Sequence, residues 1–409
     1  MKKKDLTLRY ALTQMTYWCA YNGCFSFATT YMLKLGLPSG LVGILVGMAG
    51  LLSCLLQPFI ASFIDRSGKS LLIKALLILS LACVGFFAVL LIPGMPIYLA
   101  GVLYTLGLWM TDAMVPLLNA VCVEYTRAGY GVNFGIARGF GSAASALGVL
   151  ISGFILSNMG ISWTLIFYLA LYSLTVILIF GYPKLQDGEA PAAKVDSASS
   201  EAFAPDDDAN EKSVSILQFF KTYKWYCISL LAFLMLAMYL AMTESYMIAI
   251  MENLGGDSSH VGVALFISTI AGAPVVFLFN FIRKKIKDTN LLKIGAAMFV
   301  VRSILTALAP SIVSIYMIQV LHFCSYSIVA PTEVYYAGAK VNKADTVKGQ
   351  AFITSAWALG CSIGNFIGGQ LLNFGIKTIL FAGIIMASIG CVIMYLTVNR
   401  SDLLKENVL

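Results

Sequence analysis

Long apolar runs, each interrupted by a short polar gap, recur along the whole chain. They fall near residues 8–30, 41–63, 71–93, 97–121, 134–157 and 161–182, and again near 219–249, 260–282, 290–309, 311–335, 347–371 and 376–398. A hydrocarbon layer about 30 Å thick takes about 20 apolar residues of helix to cross, so each run predicts one transmembrane α-helix. The expected fold is all-α and integral to the membrane, with twelve transmembrane helices in two six-helix bundles. Residues 1–182 make the N-terminal bundle, 183–218 a cytoplasmic linker and 219–409 the C-terminal bundle. The linker is marked by composition: Gln186 to Glu211 is rich in Ala, Asp, Glu and Ser, contains Asp206-Asp207-Asp208, and has Phe203 as its one aromatic residue. Such a stretch cannot bury a core.

Composition sharpens this picture. The chain is 59% hydrophobic and 11% charged, against about 25% charged in a soluble domain, so it cannot cover itself with polar surface in water. The basic start, Met1-Lys-Lys-Lys, precedes an apolar stretch too long and too aromatic for a cleaved signal, and that stretch reads as the first span. Of the 27 Lys and Arg residues, all but Lys34, Lys377, Arg138 and Arg302 fall on the N-tail, the C-tail and the alternate gaps, or on the flanking helix ends. By the positive-inside rule these segments and both termini are cytoplasmic, in a multi-pass protein of the cell membrane. The net charge of +7 is thus spread over one face and is no nucleic-acid footprint. Nine cysteines are scattered without CxxC spacing. No nucleophile with a base, metal cluster or phosphate loop is present, so no enzyme, metal or cofactor is expected.

The two halves repeat. Pro58 of the second span corresponds to Pro274 of the eighth, Gly148 and Gly153 to Gly364 and Gly369, and Pro116 nearly to Pro331. Parallel six-span repeats suit a carrier whose halves rock about a site near the midplane. The glycines then read as places where helices of opposite halves approach and slide, or simply as the glycine common in membrane helices.

Ionisable groups inside spans are costly and default to function. They are Asp112 in the fourth span, Arg138 in the fifth, Glu244 in the seventh, Arg302 in the ninth and His322 in the tenth, with Glu124 and Glu333 near cytoplasmic ends. Asp112 with Arg138, and Arg302 with His322, lie on consecutive antiparallel helices and could face one another. They bind polar substrate and carry a proton, or they are structural pairs. His322 can change charge near neutral pH or merely hydrogen-bond a neighbour. Glu333, eleven residues on, falls about three turns away on the same face; it is a proton-release candidate or a surface salt bridge. Tyr21, Asn22, Trp109, Asn119, Glu244, Tyr246, Trp357 and Asn365 offer hydrogen bonds and stacking for a sugar-like or nucleoside-like solute.

Two stretches carry a family resemblance. Gln57-Pro-Phe-Ile-Ala-Ser-Phe-Ile-Asp-Arg-Ser-Gly resembles the second-span end of the major facilitator superfamily, and Asn133-Phe-Gly-Ile-Ala-Arg-Gly-Phe-Gly-Ser resembles the fifth span of its oligosaccharide:proton symporter branch, the lactose permease group. The resemblance implies a cytoplasmic gate at Asp65 and Arg66, a substrate-binding Arg138, and a proton-coupling region at Arg302 and His322. The chain departs from the group at Ser325, where the coupling glutamate stands, and at Gln319, where a lysine stands. Ser145 replaces its stacking aromatic, Thr269 its eighth-span acid, and Asn119 the acid partner of the fifth-span arginine. Galactoside contacts therefore do not carry over, and proton coupling passes to Asp112, Glu244 or Glu333.

The expected function is import of a small polar solute, a sugar or oligosaccharide, by proton symport with alternating access. Solute, protons and the lipid bilayer are the expected partners of a monomer, with no nucleic acid. A nucleoside or organic-acid importer, an uncoupled facilitator and a non-transporting sensor remain open. Drug:proton antiport is disfavoured because Gly148-Val-Leu-Ile-Ser-Gly lacks the Gly-Pro signature of the antiporters.

Overall fold

Where apolar runs exceed the length of a bilayer crossing, every backbone N–H and C=O must be satisfied inside the segment, and the chain answers with helices. A computed structural model describes residues 5–67, 69–183, 215–342 and 345–400, except for the side chains of 54, 56–67, 69–70, 216, 276, 280 and 347. Most of the predicted linker, and the side chains of Asp65 and Arg66, lie outside the described residues. In the N-terminal part the helices are α1 (Thr7–Ser26), α2 (Ala28–Lys34), α3 (Ser39–Ser67), α4 (Lys69–Val89), α5 (Ile97–Arg127), α6 (Phe134–Asn158) and α7 (Ile161–Phe180). The C-terminal part has α8 (Ile216–Thr222), α9 (Lys224–Ser245), α10 (Met247–Asn253), α11 (Ser258–Lys285), α12 (Asp288–Leu308) and α13 (Ile312–Val320). A 3₁₀ turn (Leu321–Cys324), α14 (Tyr326–Lys340), α15 (Thr346–Leu372) and α16 (Ile376–Thr397) follow.

Ten segments among the described residues are long and apolar enough to cross a membrane, and they fall on the third to twelfth predicted spans. The first two predicted spans correspond to α1 with α2, and to α3. Three predicted spans are not continuous helices. The first breaks at Phe27 and the seventh at Tyr223 and again at Tyr246, Phe27 and Tyr246 each with φ near −100° and ψ between 9° and 19°, and the tenth breaks at the 3₁₀ turn.

Two compact units emerge from the packing. One holds described residues up to 183 together with 256–266, and the other holds 215–255 and 267–400. Within the first, α1 packs on α6 and α7, and α4 on α5 and α7; within the second, α9 packs on α15 and α16, and α12 on α14 and α16. The same pairings recur, as the sequence repeat leads one to expect. Central helices are recognisable by burial: 72% of the apolar window of α9 is covered by protein, against 28% for α4 and for α16. The polar character of α1 follows from its place, since Tyr10, Thr13, Gln14, Thr16 and Tyr17 are all buried among neighbouring helices and need not face lipid.

Glycine sets the tightest approaches, within each unit. A Cβ on Gly148 would strike the Cys19 backbone of α1, and one on Gly364 would meet the Met238 backbone of α9 at 2.6 Å. Both glycines therefore bring helices of the same unit together, in contrast to the expected contact across halves. Gly153 packs on Ser258 and Gly262, in the first turns of α11, which belong to the first unit.

Candidate functional site

Each unit builds one polar cluster inside its apolar helices. In the first, residues spaced by four on α1 share a face. Tyr10 Oη donates to the carbonyl of Leu118 at 3.2 Å, Gln14 Nε2 donates to Tyr10 Oη at 2.6 Å, and Trp18 Nε1 donates to Gln14 Oε1 at 2.6 Å. This relay holds the Trp18 ring in place, and the Arg138 guanidinium of α6 lies over it, 4.1 Å from the ring centre. Gly141 makes room, since a Cβ there would stand 3.0 Å from the Trp18 ring. One turn on, Asn22 Nδ2 donates to Ser145 Oγ of α6.

Asp112 of α5 accepts a hydrogen bond from Tyr21 Oη at 2.9 Å. The predicted pair of Asp112 and Arg138 is thus resolved into two separate arrangements, one acid on a phenol and one arginine on an indole. Trp18, Tyr21 and Phe25 continue as an aromatic ladder, with ring centres 4.9 and 4.6 Å apart. Trp109 Nε1 is buried without a hydrogen-bond partner among the described residues. Asn119 is partly buried on α5, one residue from the carbonyl that receives Tyr10.

The second unit joins its charges directly. Arg302 of α12 is 1% exposed; its Nη2 lies 3.6 Å from Glu244 Oε1 on α9 and donates to Gln319 Oε1 on α13. Its Nη1 lies 3.1 Å from His322 Nδ1. A guanidinium can only donate, so in this arrangement Nδ1 is the acceptor and carries no proton. Glu244 keeps a side-chain exposure of 31%, which leaves it within reach of water or solute. Here the predicted neighbours Arg302 and His322 do meet, and Gln319, where the lactose permease group has a lysine, becomes the neutral third partner.

Glu333 is placed differently from the expectation of a shared helical face. The 3₁₀ turn and Ser325 (φ −101°, ψ −96°) interrupt the helix between it and His322, so helical counting across the gap fails. The two residues are connected through side chains instead: His322 packs on Tyr326 at 5.4 Å, Tyr326 on Trp357 of α15 at 5.4 Å, and Trp357 Nε1 donates to Glu333 Oε2 at 2.5 Å. Trp357, a predicted solute contact, has its N–H committed to a carboxylate. Among the described residues no group of His, Cys, Asp or Glu could hold a metal ion.

Trp18, Gln14, Tyr10 and Tyr326 were absent from the predicted set. The first three were legible in principle, because Tyr10, Gln14, Trp18 and Asn22 form an i, i+4 stripe of polar-tipped residues on an otherwise apolar helix. Tyr326 carries no such signal, since its place depends on the break at the 3₁₀ turn.

An all-helical membrane fold with internal repeats and ionisable groups buried in its spans defines a secondary transporter of the major facilitator type, not an enzyme. The chain belongs to the MFS_1 like family, whose pattern matches residues 7–382. Among solved structures it is similar to the nucleoside transporter NupG, at 16% identity and a TM-score of 0.75, covering 96% of this chain and 98% of that one. A POT family transporter in complex with 5-aminolevulinic acid matches at 12% identity and a TM-score of 0.69, covering 97% and 96%. A bacterial homologue of the lysosomal transporter Spinster matches at 13% identity and a TM-score of 0.67, covering 96% of each chain. No curated protein matches the sequence.

Proposed function

We propose that this transporter imports a small polar solute, a sugar or oligosaccharide, by proton symport with alternating access. Residues 1–182 and 219–409 are the two moving bundles, both termini are cytoplasmic, and the monomer is the working unit. The observation that carries this reading is the pair of polar clusters. Each unit places an arginine and an acid in helices that otherwise face hydrocarbon, a cost that persists where the groups serve binding or ion movement.

The clusters support distinct tasks. In the first unit Arg138, Asp112, Tyr21, Asn22, Asn119 and Trp109 offer hydrogen bonds, and Trp18 and Tyr21 offer ring faces, which suits hydroxyls on an apolar ring. In the second, protonation of a carboxylate changes the charge balance around Arg302 and His322, so that the loaded and empty carriers differ in the cost of isomerising. Proteoliposomes offered a panel of sugars test the reading. Solute-driven alkalinisation of the medium is expected, and solute entry without it identifies a facilitator.

One further observation favours a second reading. The Trp18, Tyr21 and Phe25 ladder would stack a planar base, and a similar solved fold is that of a nucleoside transporter. Nucleosides therefore join the panel. A rise in thermal stability with a nucleoside but with no sugar, lost in Arg138→Ala, would move the assignment to that class.

A further inference from the structure

The two carboxylates of the second unit stand in opposite electrostatic settings. Glu244 faces Arg302, a cation that is itself buried. Glu333, partly buried on α14, has Trp357 Nε1 as its donor on Oε2, at 2.5 Å. No cation pairs with Glu333 among the described residues, and no group donates to its Oε1.

The surroundings bear this out element by element. The titratable groups that face Glu333 are phenols: Tyr326 on its own helix and Tyr226 on α9. Several cations of the elements around it are engaged elsewhere. On α12, Arg302 serves Glu244, Gln319 and His322, and Lys293 lies over Tyr395. Arg283 of α11 is bound twice by Asp288, at 2.8 and 3.1 Å. Lys340 of α14 lies over Tyr336, and Lys348 of α15 pairs with Asp345 at 3.0 Å.

Protonating Glu244 would leave the buried Arg302 without the acid that lies 3.6 Å from it, whereas Glu333 meets a neutral N–H donor, so its protonation strands no counter-charge. We propose that Glu333, positioned by Trp357, is the group of this unit that gains and loses the proton, while Glu244 remains the counter-charge of Arg302. Uptake forms one O–H bond at Oε1 with a proton from hydronium, and release returns that proton to water; no electron changes hands. Trp357 is then a positioning residue, and the Tyr326 ring packs against both Trp357 and His322, which joins the exchanging acid to the Arg302 cluster. The use of this proton in solute movement rests on the transport reading above. The exchange itself does not, so the two can fail separately.

The test uses the full-length protein purified in detergent, without solute, taken from about pH 5 to about pH 10. Infrared difference spectra are expected to show a carboxylic-acid C=O band that disappears across this range, and intrinsic tryptophan fluorescence a step over the same interval as charge appears beside the Trp357 indole. Both signals vanish in Glu333→Gln and both persist in Glu244→Gln; Trp357→Phe keeps the infrared band and loses the fluorescence step. Glu333→Asp guards against misfolding of the Gln variant, because it retains the band while its shorter side chain withdraws from the indole and weakens the step. Persistence of the band in Glu333→Gln, or its loss in Glu244→Gln, overturns the proposal. Proteoliposomes probed with lactose and with uridine then report on the transport reading: absence of proton movement with either, in a wild-type protein that shows the band, counts against symport of those solutes and leaves the assignment of Glu333 standing.

Discussion

The two units use the same helix pairings but treat their buried charges in different ways. In the first, Asp112 and Arg138 are kept on separate aromatic partners, Tyr21 and Trp18. In the second, Glu244, Arg302, Gln319 and His322 form one cluster around a guanidinium that is 1% exposed. A repeat in backbone thus does not imply a repeat in chemistry. In the second unit a charge enclosed by its own acid joins helices directly, whereas in the first the acid meets a phenol and the arginine lies over an indole.

The largest expected effect lies in the second cluster. Glu244→Ala leaves Arg302, 1% exposed, without its acid and should lower stability in detergent by about 3–5 kcal/mol, because removing one partner strands the other in a poorly solvated site. Combining Arg302→Met with Glu244→Gln should recover much of that loss, and an unfolding titration that shows no recovery would break the assignment of a coupled pair. Next comes Gly148→Leu, which forces α1 from α6 and should cost about 1–3 kcal/mol by overpacking, read as a lower thermal midpoint. The contrast between the units is sharpened by double-mutant cycles: Glu244 with Arg302 should couple by about 0.5–3 kcal/mol, and Asp112 with Arg138 should be additive within about 0.5 kcal/mol. Trp18→Phe keeps a ring under Arg138 but drops the Gln14 hydrogen bond, for a loss of about 1 kcal/mol.

The smallest effect at neutral pH concerns the loop before α11. Burial alone would raise the Asp257 carboxyl, but hydrogen bonds from Ser157, Ser259 and His260 outweigh it and hold the group below the ordinary carboxylate range. A depressed folded value means that the contribution is complete above the unfolded value of about 3.9 and is lost as pH falls below it. Asp257→Asn should therefore flatten the acid limb of the stability profile and leave the alkaline limb unchanged.

Much of the architecture was legible before any coordinates. Runs such as 71–93 and 376–398 are apolar on every side and have no other solvent than lipid. The superfamily assignment came through as well, on the loop after the second span; the oligosaccharide:proton symporter branch, read from Asn133 to Ser142, belongs to the proposed function. Finer readings met their limit where side-chain position depends on a break in a helix. Counting eleven residues from His322 to Glu333 presumes continuous α-helix, which the 3₁₀ turn removes. The expectation that Gly148 and Gly364 face across halves presumed a partner that spacing alone cannot supply; both turn to the first long helix of their own unit, α1 and α9.

By itself the sequence determined that this chain is a membrane-embedded helical protein with a doubled plan and a handful of ionisable groups within its spans. Those facts follow from composition and period, which act locally and add along the chain. Tertiary structure alone decided which charge meets which: that Arg302 gathers Glu244, Gln319 and His322, that Arg138 rests on Trp18, and that Glu333 is held by an indole. Such pairings join residues from different helices, and the rotation and depth of each helix, on which they depend, are set by packing against its neighbours.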